Sequence, residues 1–409
     1  MAEDPSNLPK ATPPQCEPPP LTATACDVGA PAFVPARNAK DSKHAGLTAN
    51  APRPKRASTG QFFILAAIAL VILAGYNALI WFASQTTQRY RLLQTLQHLP
   101  PGTDCVFLGN SLMAAGGDPA AFKSAWRVPQ RGGDTVATPL NDPPVPVNLA
   151  LGATTPVEHY LILKHALAQP VHLKYLVYGF FDDQLNAPVS GNWTNLMGNR
   201  AFSYYFPEEA AAFYAPGSRW EMWKLWLIGH IPMFTDRSSF WGKVELLRRW
   251  CGQIGMPKQK SNRFGRAADF AELEPRDVAS FTERCEAVVR GRKGFSPALR
   301  GIFQLAREHG IKVILVEMPM PPKHRQEFYS LPAWADLRAH LRSLAARENA
   351  SYISASDWVT NNADFEDPLH MNQRGAQVFS RRLALAMSGE IAPVQMSYSG
   401  NHRTPLRQP

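Results

Sequence analysis

The chain has 409 residues, of which 45% are apolar and 19% charged, and its formal net charge at pH 7 is +10. With 36 prolines, this composition excludes a coiled coil, a collagen and a fully disordered chain. The five cysteines are scattered and form no C-x-x-C pair, which argues against a disulfide framework and a cysteine zinc site. The positive charge favours attraction to anionic lipid or polymer.

Residues 1–60 are rich in proline and show almost no periodic apolar pattern. Such a segment cannot bury enough apolar surface to offset its conformational entropy, so we predict a disordered cytoplasmic tail. Its end is basic, and we expect that end to contact anionic lipid.

The run from Phe62 to Ala83 is the strongest single feature, because no charged residue lies between Arg56 and Arg89. At ~1.5 Å per residue the run extends about 33 Å, which is enough to cross a bilayer core. The alternatives are a buried core helix and a cleaved signal peptide, which the long preceding segment disfavours. We predict a transmembrane helix at 61–84.

The charges on either side of this helix indicate its orientation. Arg53, Lys55 and Arg56 precede the run, whereas Arg89 and Arg91 follow at a greater distance. The positive-inside rule then places the N-terminus in the cytoplasm. The predicted protein is therefore a single-pass protein of the inner (cytoplasmic) membrane with a periplasmic or extracellular main domain.

Residues 98–390 are predicted to fold, and 391–409 to form a second disordered tail. The predicted strands are 104–109, 146–151, 174–180, 311–318 and 351–354. The predicted helices start after Asp118, at the Thr155–Glu158 capping box, at Pro297, at residue 333 and at Asn372. Strands that alternate with helices indicate a central parallel sheet in a three-layer α/β domain.

The stretch 190–290 breaks this alternation and holds most of the ten tryptophans, so we predict a helical, aromatic-rich insertion. Trp220, Trp223 and Trp226 fall on one helix face. This spacing favours an amphipathic helix packed in the core. The alternatives are a membrane-surface contact and a platform for sugar stacking.

Three residues offer the side chains of a nucleophilic triad. Ser111 follows the first predicted strand, and Asp367 and His370 lie just before the last helix. A hydroxyl becomes a nucleophile when an imidazole takes its proton and a carboxylate orients that imidazole. A carboxylate three residues before a histidine can fold back onto Nδ1, which leaves Nε2 free for the serine.

These residues lie in blocks that resemble the SGNH or GDSL-type esterases and acyltransferases. The first block is Phe107–Leu112, with Gly-Asn-Ser in place of the usual Gly-Asp-Ser, and the second is Asn148–Gly152. Asp367–Gly375 is similar to the family's D-x-x-H-[LM]-N-x-x-G. The layout also resembles that of DltD, a membrane-anchored protein of D-alanine transfer to teichoic acid.

The resemblance implies an SGNH-like fold and the hydrolysis or transfer of an acyl ester, with acetyl favoured, on an envelope glycan or lipid. It implies that Ser111 is the nucleophile, that His370 moves the proton and that Asp367 orients the ring. The backbone N–H groups of Ser111 and Gly152 would hold the oxyanion.

The third block departs from the family, because Gly179–Asp182 lacks the asparagine that serves as an oxyanion donor. Gln184 and Asn186 are candidates to replace it. We expect four residues to line the cleft, namely Asn110, Asp182, Asp183 and Gln184. For the two aspartates a metal pair or an acid/base pair is the alternative, but solvated turn residues are more common.

No P-loop or dinucleotide fingerprint occurs, and His324 and His340 lack metal-ligand spacing. We therefore predict no metal and no cofactor. The expected partners are the membrane, an acylated envelope glycan or lipid, and a membrane-bound acyltransferase, whereas nucleic acid is not expected. The alternative function is a catalytically silent SGNH-like scaffold that binds glycan or such an acyltransferase.

Overall fold

The computed structural model describes residues 59–126, 143–187, 193, 196, 198–236, 240, 243–244 and 278–389. The tails predicted before residue 59 and after residue 390, and much of the predicted insertion, lie outside the described residues.

Five strands among the described residues form one parallel sheet, in the order β2-β1-β3-β4-β5. They are β1 Cys105–Gly109, β2 Pro146–Asn148, β3 Tyr175–Phe180, β4 Lys312–Glu317 and β5 Ser351–Ser354. Each predicted strand is present, but β2 ends three residues early. Asn148 Oδ1 accepts the Ala150 N–H at 3.0 Å, and the N–H groups of Leu149 and Leu151 still donate to the Phe107 and Gly109 carbonyl oxygens of β1, so this stretch stays beside the sheet.

The helices that position the site come from both halves of the chain. They are α1 Thr59–Ser84, α2 Gln88–Gln97, α3 Ser111–Gly116, α4 Pro119–Ala125, α5 Pro156–Leu167, α6 Pro207–Tyr214, α7 Arg219–Gly229, α8 Pro232–Thr235, α9 Val278–Arg290, α10 Pro297–Glu308, α11 Pro332–Arg347 and α12 Gln373–Met387. Short 3-10 or π turns lie at Gln184–Asn186, Gly198–Tyr205, Arg325–Tyr329 and Asn362–Asp364.

The sheet separates two apolar cores, because successive side chains of a strand point to opposite faces. In β1, Val106 and Leu108 join the core that contains α5, α9, α10 and α11. Cys105 and Phe107 join the core that contains α3, α4 and α12. The predicted three-layer α/β domain with a central parallel sheet is thus confirmed.

Helix α1 is long and apolar enough to cross a membrane, and its bounds agree with the predicted helix at 61–84. Its first part is exposed, whereas Ile80 near its end is fully buried against the rest of the chain. In α2, Arg89 is buried and forms an ion pair with Asp236, the residue after α8. Helices α1, α2 and α8 are therefore joined near the end of α1.

The described part of 190–290 is helical before residue 237, and a buried carboxylate ties it to the domain. Glu158 on α5 accepts hydrogen bonds through Oε1 from the Ser203 hydroxyl at 2.6 Å and the Tyr214 hydroxyl at 2.8 Å. Its Oε2 accepts from the N–H of Thr155 at 2.8 Å in the predicted capping box. The four bonds that Glu158 accepts, one of them from the Thr155 hydroxyl, offset the cost of its burial.

The core interpretation of the tryptophans on α7 is wrong. Trp220, Trp223 and Trp226 are exposed, and Leu225 is the buried residue of this helix. The spacing predicts a common face correctly, but that face points away from α6 and the Gly198–Tyr205 turn, on which α7 packs.

Candidate active site

Ser111 begins α3, directly after the carboxyl end of β1. Asn110 caps this helix, since its Oδ1 accepts the Leu112 N–H at 2.9 Å. Gly109 has φ +149° and lies opposite Gly179 of β3, where an added Cβ would stand 2.6 Å from the Gly179 carbonyl oxygen. A glycine is therefore required before the cap, and the turn leaves Ser111 half-exposed at the sheet edge.

Gly152, in the loop after β2, lies against Ser111. A Cβ built on Gly152 would be 3.4 Å from Ser111 Cβ. Within the described part of the chain, the backbone N–H groups of both residues donate to no other protein group. The structure thus brings together the two residues predicted to supply oxyanion donors, and both N–H groups are free.

A buried histidine, His159, contacts the turn that precedes Ser111 through the Gly109 backbone. His159 on α5 is fully buried, with Nε2 2.9 Å from Thr154 Oγ1 and Nδ1 2.7 Å from the Tyr178 hydroxyl. Burial lowers the pKa of His159 to about 3, against a smaller raising effect of its hydrogen bond with the Gly109 backbone. His159 is therefore neutral at physiological pH and holds β1, β3 and α5 together.

Asp367 and His370 form the pair that the sequence predicts. His370 Nδ1 lies 2.7 Å from Asp367 Oδ2, and Asp367 Oδ1 accepts the N–H groups of Leu369 and His370, each at 2.8 Å. The carboxylate thus orients the imidazole and closes the turn between the two residues. Nδ1 carries the proton in this arrangement, which leaves Nε2 as the basic atom.

The pKa of Asp367 is lowered from 3.8 by this geometry. Partial burial acts in the opposite direction. The hydrogen bonds from the His370 ring and from the N–H groups of Leu369 and His370 outweigh it, because they favour the charged form.

The remaining motif residues of the Asp-His block, Asn372 and Gly375, are explained by the structure at the start of α12. Asn372 caps α12, with Oδ1 accepting the N–H groups of Arg374 at 3.0 Å and Gly375 at 3.1 Å. A Cβ at Gly375 would stand 2.2 Å from the Asp364 carbonyl oxygen, so only glycine fits. The asparagine and the glycine of the motif thus fix the start of α12 just after His370.

Helix α12 also brings this block to the helix that begins at Ser111. The Met371 side chain reaches Gly116 at the end of α3, since a Cβ on Gly116 would lie 2.2 Å from Met371 Cε. The Ser380 hydroxyl donates to the Gly116 carbonyl oxygen at 3.0 Å and accepts the Asp118 N–H at 2.8 Å. Among the described residues, Ser111 Oγ and His370 Nε2 have no hydrogen-bond partner, so the serine–imidazole bond stays a prediction.

Gln184, one of the two candidates to replace the missing third-block asparagine, holds its side-chain amide against Asn110. Asn110 Nδ2 donates to Gln184 Oε1 at 3.1 Å. Because Asn110 Oδ1 is held by the Leu112 N–H, the atom that faces Gln184 is the nitrogen, and Gln184 must turn its oxygen toward it. The Nε2 of Gln184 is then left free. Asn186 is committed elsewhere, since its Nδ2 donates to the Lys293 and Gly294 carbonyl oxygens at 3.3 and 2.9 Å.

The two adjacent aspartates are not equivalent, and Asp182 is not a solvated turn residue. It is buried at φ +49°, and its Oδ1 accepts from the Tyr329 hydroxyl at 3.1 Å and lies 3.3 Å from His324 Nε2. Asp183 is half-buried and pairs with Arg284 at 3.4 Å. Burial, followed by the Asp182 charge, raises the pKa of Tyr329. These contacts stabilise the loop after β3.

Asn199, in the insertion, is a site residue that sequence reasoning missed. Its Nδ2 donates to the Gly152 carbonyl oxygen at 2.8 Å and to Gln88 Oε1 at 3.1 Å. It thereby connects the loop beside Ser111 to the start of α2, a few residues after α1 ends. No local signal identifies Asn199, because both partners are distant in sequence.

Within the described residues, no cluster of three or more His, Cys, Asp or Glu side chains could hold a metal ion. A surface cavity of about 440 Å³ between α5 and α10 is lined by none of the site residues.

No family model matches the chain, and no curated protein matches it. Solved structures that resemble it include an acylhydrolase from Bacteroides fragilis, with TM-score 0.31 and 13% identity, covering 73% of this chain and 95% of that one. A lipase/acylhydrolase from Enterococcus faecalis gives TM-score 0.28 and 12% identity, covering 71% and 99%. A carbohydrate acetylesterase from Sinorhizobium meliloti gives TM-score 0.25 and 14% identity, covering 70% and 100%.

These structures are of the esterase class that the sequence blocks resemble. At such identities and TM-scores the likeness carries no argument about what this chain does, and its activity is inferred from the geometry of the site.

Proposed function

We propose that the chain is a membrane-anchored serine esterase or O-acyltransferase that acts on an acyl ester, with acetyl favoured, carried by an envelope glycan or lipid. The observation that carries the proposal is the 2.7 Å contact between His370 Nδ1 and Asp367 Oδ2. This contact favours the His370 tautomer whose Nε2 is basic. The Asp367–Gly375 block that contains the contact packs on α3, the helix that begins at Ser111.

In the proposed reaction, Ser111 Oγ attacks the ester carbonyl while His370 Nε2 takes the hydroxyl proton. The negative oxygen of the tetrahedral intermediate is held by the N–H groups of Ser111 and Gly152 and by Gln184 Nε2. His370 returns the proton to the leaving alcohol, which gives an acyl-serine. Water then attacks this ester in hydrolysis, or an acceptor hydroxyl attacks it in transfer, again with His370 as the base.

The attachment of the site to α1 supports a substrate at the membrane. Gln88, at the start of α2, contacts Asn199, which contacts Gly152 beside Ser111. If α1 crosses the membrane with the N-terminus in the cytoplasm, this short series of contacts holds the site near the outer bilayer surface. A lipid-linked or membrane-bound acyl donor, including one delivered by a membrane-bound acyltransferase, is then within reach.

Turnover of an aryl acetate by the full chain in detergent tests the proposal. Ser111→Ala should reduce kcat by about 10³-fold or more, because the nucleophile is lost. Ser124→Ala is the matched control, since the Ser124 hydroxyl donates to the Ala121 carbonyl oxygen within α4, and it should leave kcat unchanged.

The missing third-block asparagine and the Gly-Asn-Ser of the first block favour one alternative, a catalytically silent scaffold that binds glycan or an acyltransferase. Wild-type protein that hydrolyses no ester, while Ser111→Ala keeps the biological function, would establish this alternative.

A further inference from the structure

Among the described residues, α7 and α8 carry an exposed apolar face that the proposed reaction does not use. We call it the tryptophan face and define it as Trp220, Met222, Trp223, Trp226 and Phe234. Their exposed fractions run from 39% at Met222 to 62% at Trp220. The rings of Trp220 and Trp223 stack with centroids 5.0 Å apart. A cluster of this size on a protein surface marks a contact with a partner or a membrane.

The tryptophan face lies on two helices that pack on each other, and one of them, α8, touches α1 within its apolar run. The Met233 N–H of α8 donates to Asn77 Oδ1 at 3.0 Å, and the ring of Tyr76 lies 5.9 Å from that of Phe240. Ile80 is fully buried, and Lys243 hydrogen-bonds to the Ala83 carbonyl oxygen. The folded part of the chain therefore reaches α1 from Tyr76 onward.

The length of α1 decides where this contact lies relative to a bilayer. From Phe62 to Gly75 the helix is exposed, apart from half-buried Ala66. This free apolar part is only about 21 Å long at ~1.5 Å per residue, whereas a hydrocarbon core is ~30 Å thick. Gln61 and Arg56 bound the run on the other side. The membrane must then extend past Asn77, to the depth at which α8 packs.

We propose that α7 and α8 lie in the outer interface of the bilayer that α1 crosses, with the tryptophan face against lipid. The inference rests on the membrane anchorage proposed above. Indole and phenyl rings favour the boundary between headgroups and acyl chains, where an apolar body and a polar N–H are both satisfied. The occupant is lipid because α8, which carries Phe234 of this face, packs on α1, where the neighbouring apolar side chains of Leu73 and Leu79 are exposed.

As a consequence, the contact of α7 and α8 with the bilayer would fix the orientation of the domain on the membrane. Asp236, directly after α8, pairs with buried Arg89 of α2, and Arg89 also bonds to the Gly198 carbonyl oxygen. The next residue, Asn199, holds the Gly152 loop. Helix α1 and the embedded α7–α8 pair together form two points of attachment, so the site faces the bilayer at a set height.

Tryptophan quenching by brominated lipid tests this inference on the full chain in phosphatidylcholine vesicles. A variant with Trp220→Phe, Trp223→Phe and Trp226→Phe keeps the face apolar but removes its indoles. The quenched share of the emission should fall about two-fold or more, because three indoles of the face are removed and, among the tryptophans that the structure describes, Trp81 on α1 remains at membrane depth. In wild type, bromines near the headgroup should quench more than bromines near the chain end.

Two comparisons separate this inference from the anchorage on which it rests. If the quenching that remains in the triple variant disappears when Trp81→Phe is added, α1 is in the membrane. Wild-type protein that shows no quenching at all would overturn the anchorage. If the protein is anchored but quenching is the same in wild type and in the triple variant, α7 and α8 do not lie in the membrane interface. A dimer that dissociates in the triple variant would lead to the same conclusion, since a second copy would then cover the face. Trp358→Phe is the control, because Trp358 is half-buried, packs against Phe379 of the domain and should leave quenching unchanged.

Discussion

Asp367 makes three hydrogen bonds to two neighbours, and these limit what a substitution can preserve. Asp367→Asn keeps the size of the side chain but presents an N–H to His370 Nδ1. The ring then favours the tautomer with its proton on Nε2, which cannot accept the serine proton. We expect kcat for an aryl acetate to fall by about 10⁴-fold, as in the best-characterised Ser-His-Asp triad.

The same chemical change at an exposed carboxylate is the control for Asp367. Asp357 is exposed, and Asp357→Asn should leave kcat unchanged. An Asp367→Asn variant within about ten-fold of wild type would show that the pair does not set the base.

Gln184 carries a second prediction at the residue scale, because we propose that its amide replaces the missing third-block asparagine. Gln184→Leu removes the Nε2 donor and should lower kcat about 10²-fold with a smaller change in KM, since the bond forms in the transition state. Asp183→Asn changes the neighbouring side chain, which faces Arg284, and should stay close to wild type. Equal kcat values for the two variants would remove Gln184 from the oxyanion site.

The candidate site could be predicted from sequence where its residues act through local spacing or, like Ser111 and Gly152, follow predicted strands whose carboxyl ends share one sheet edge. Asp367 and His370 are three residues apart, and their turn closes through their own backbone. The orientation of Gln184 depends instead on the cap bond of Asn110, and Asn199 acts on partners far away in the chain. Such contacts follow from tertiary packing, so no local pattern indicates them.

At the scale of the elements, α5 carries a buried titratable group whose stability effect can be measured. His159 has a pKa of about 3 in the folded chain, below its ordinary 6.5. Below pH 6.5 the unfolded chain binds a proton that the folded chain does not, so stability falls as the pH falls. The loss is about 1.4 kcal/mol per pH unit until the folded pKa is reached.

Urea unfolding in detergent at pH 6.5 and 5 measures this effect. His159→Gln retains hydrogen-bonding atoms toward Thr154 and Tyr178 but does not titrate. Between pH 6.5 and pH 5 its free energy of unfolding should therefore fall by about 2 kcal/mol less than that of wild type. His309→Gln, at an exposed histidine, should keep the wild-type slope. Equal slopes for all three proteins would mean that His159 is charged in the folded state.

Secondary structure was largely predictable because its signals are local. Thr155 and Glu158 form the predicted capping box, and Asp118 caps α4 through two bonds to its first turn. The error at α7 has a physical origin. Helical spacing groups Trp220, Trp223 and Trp226 on one face, but an apolar face is compatible with either a core or a membrane, and the surrounding packing decides between them.

At the scale of the whole molecule, the proposed anchorage makes the orientation of α1 a testable prediction, because it sets the side of the membrane on which the domain lies. Arg89 is buried in its pair with Asp236, so it adds little free charge beside the helix, and the upstream Arg53, Lys55 and Arg56 dominate the bias. A reporter that is active only in the cytoplasm, fused after Pro409, should therefore be silent, and one active only outside should work. The reverse result would place the domain in the cytoplasm.

The central claim is that Ser111 is a nucleophile activated by His370, and covalent labelling tests it most directly. Full-length protein in detergent is treated with a fluorophosphonate, and the modified peptide is identified by mass spectrometry. The label should sit on Ser111, should be absent from Ser111→Ala, and should form about 10³-fold more slowly in His370→Ala. A folded wild-type protein that takes no label, or takes it equally fast without His370, would contradict the claim.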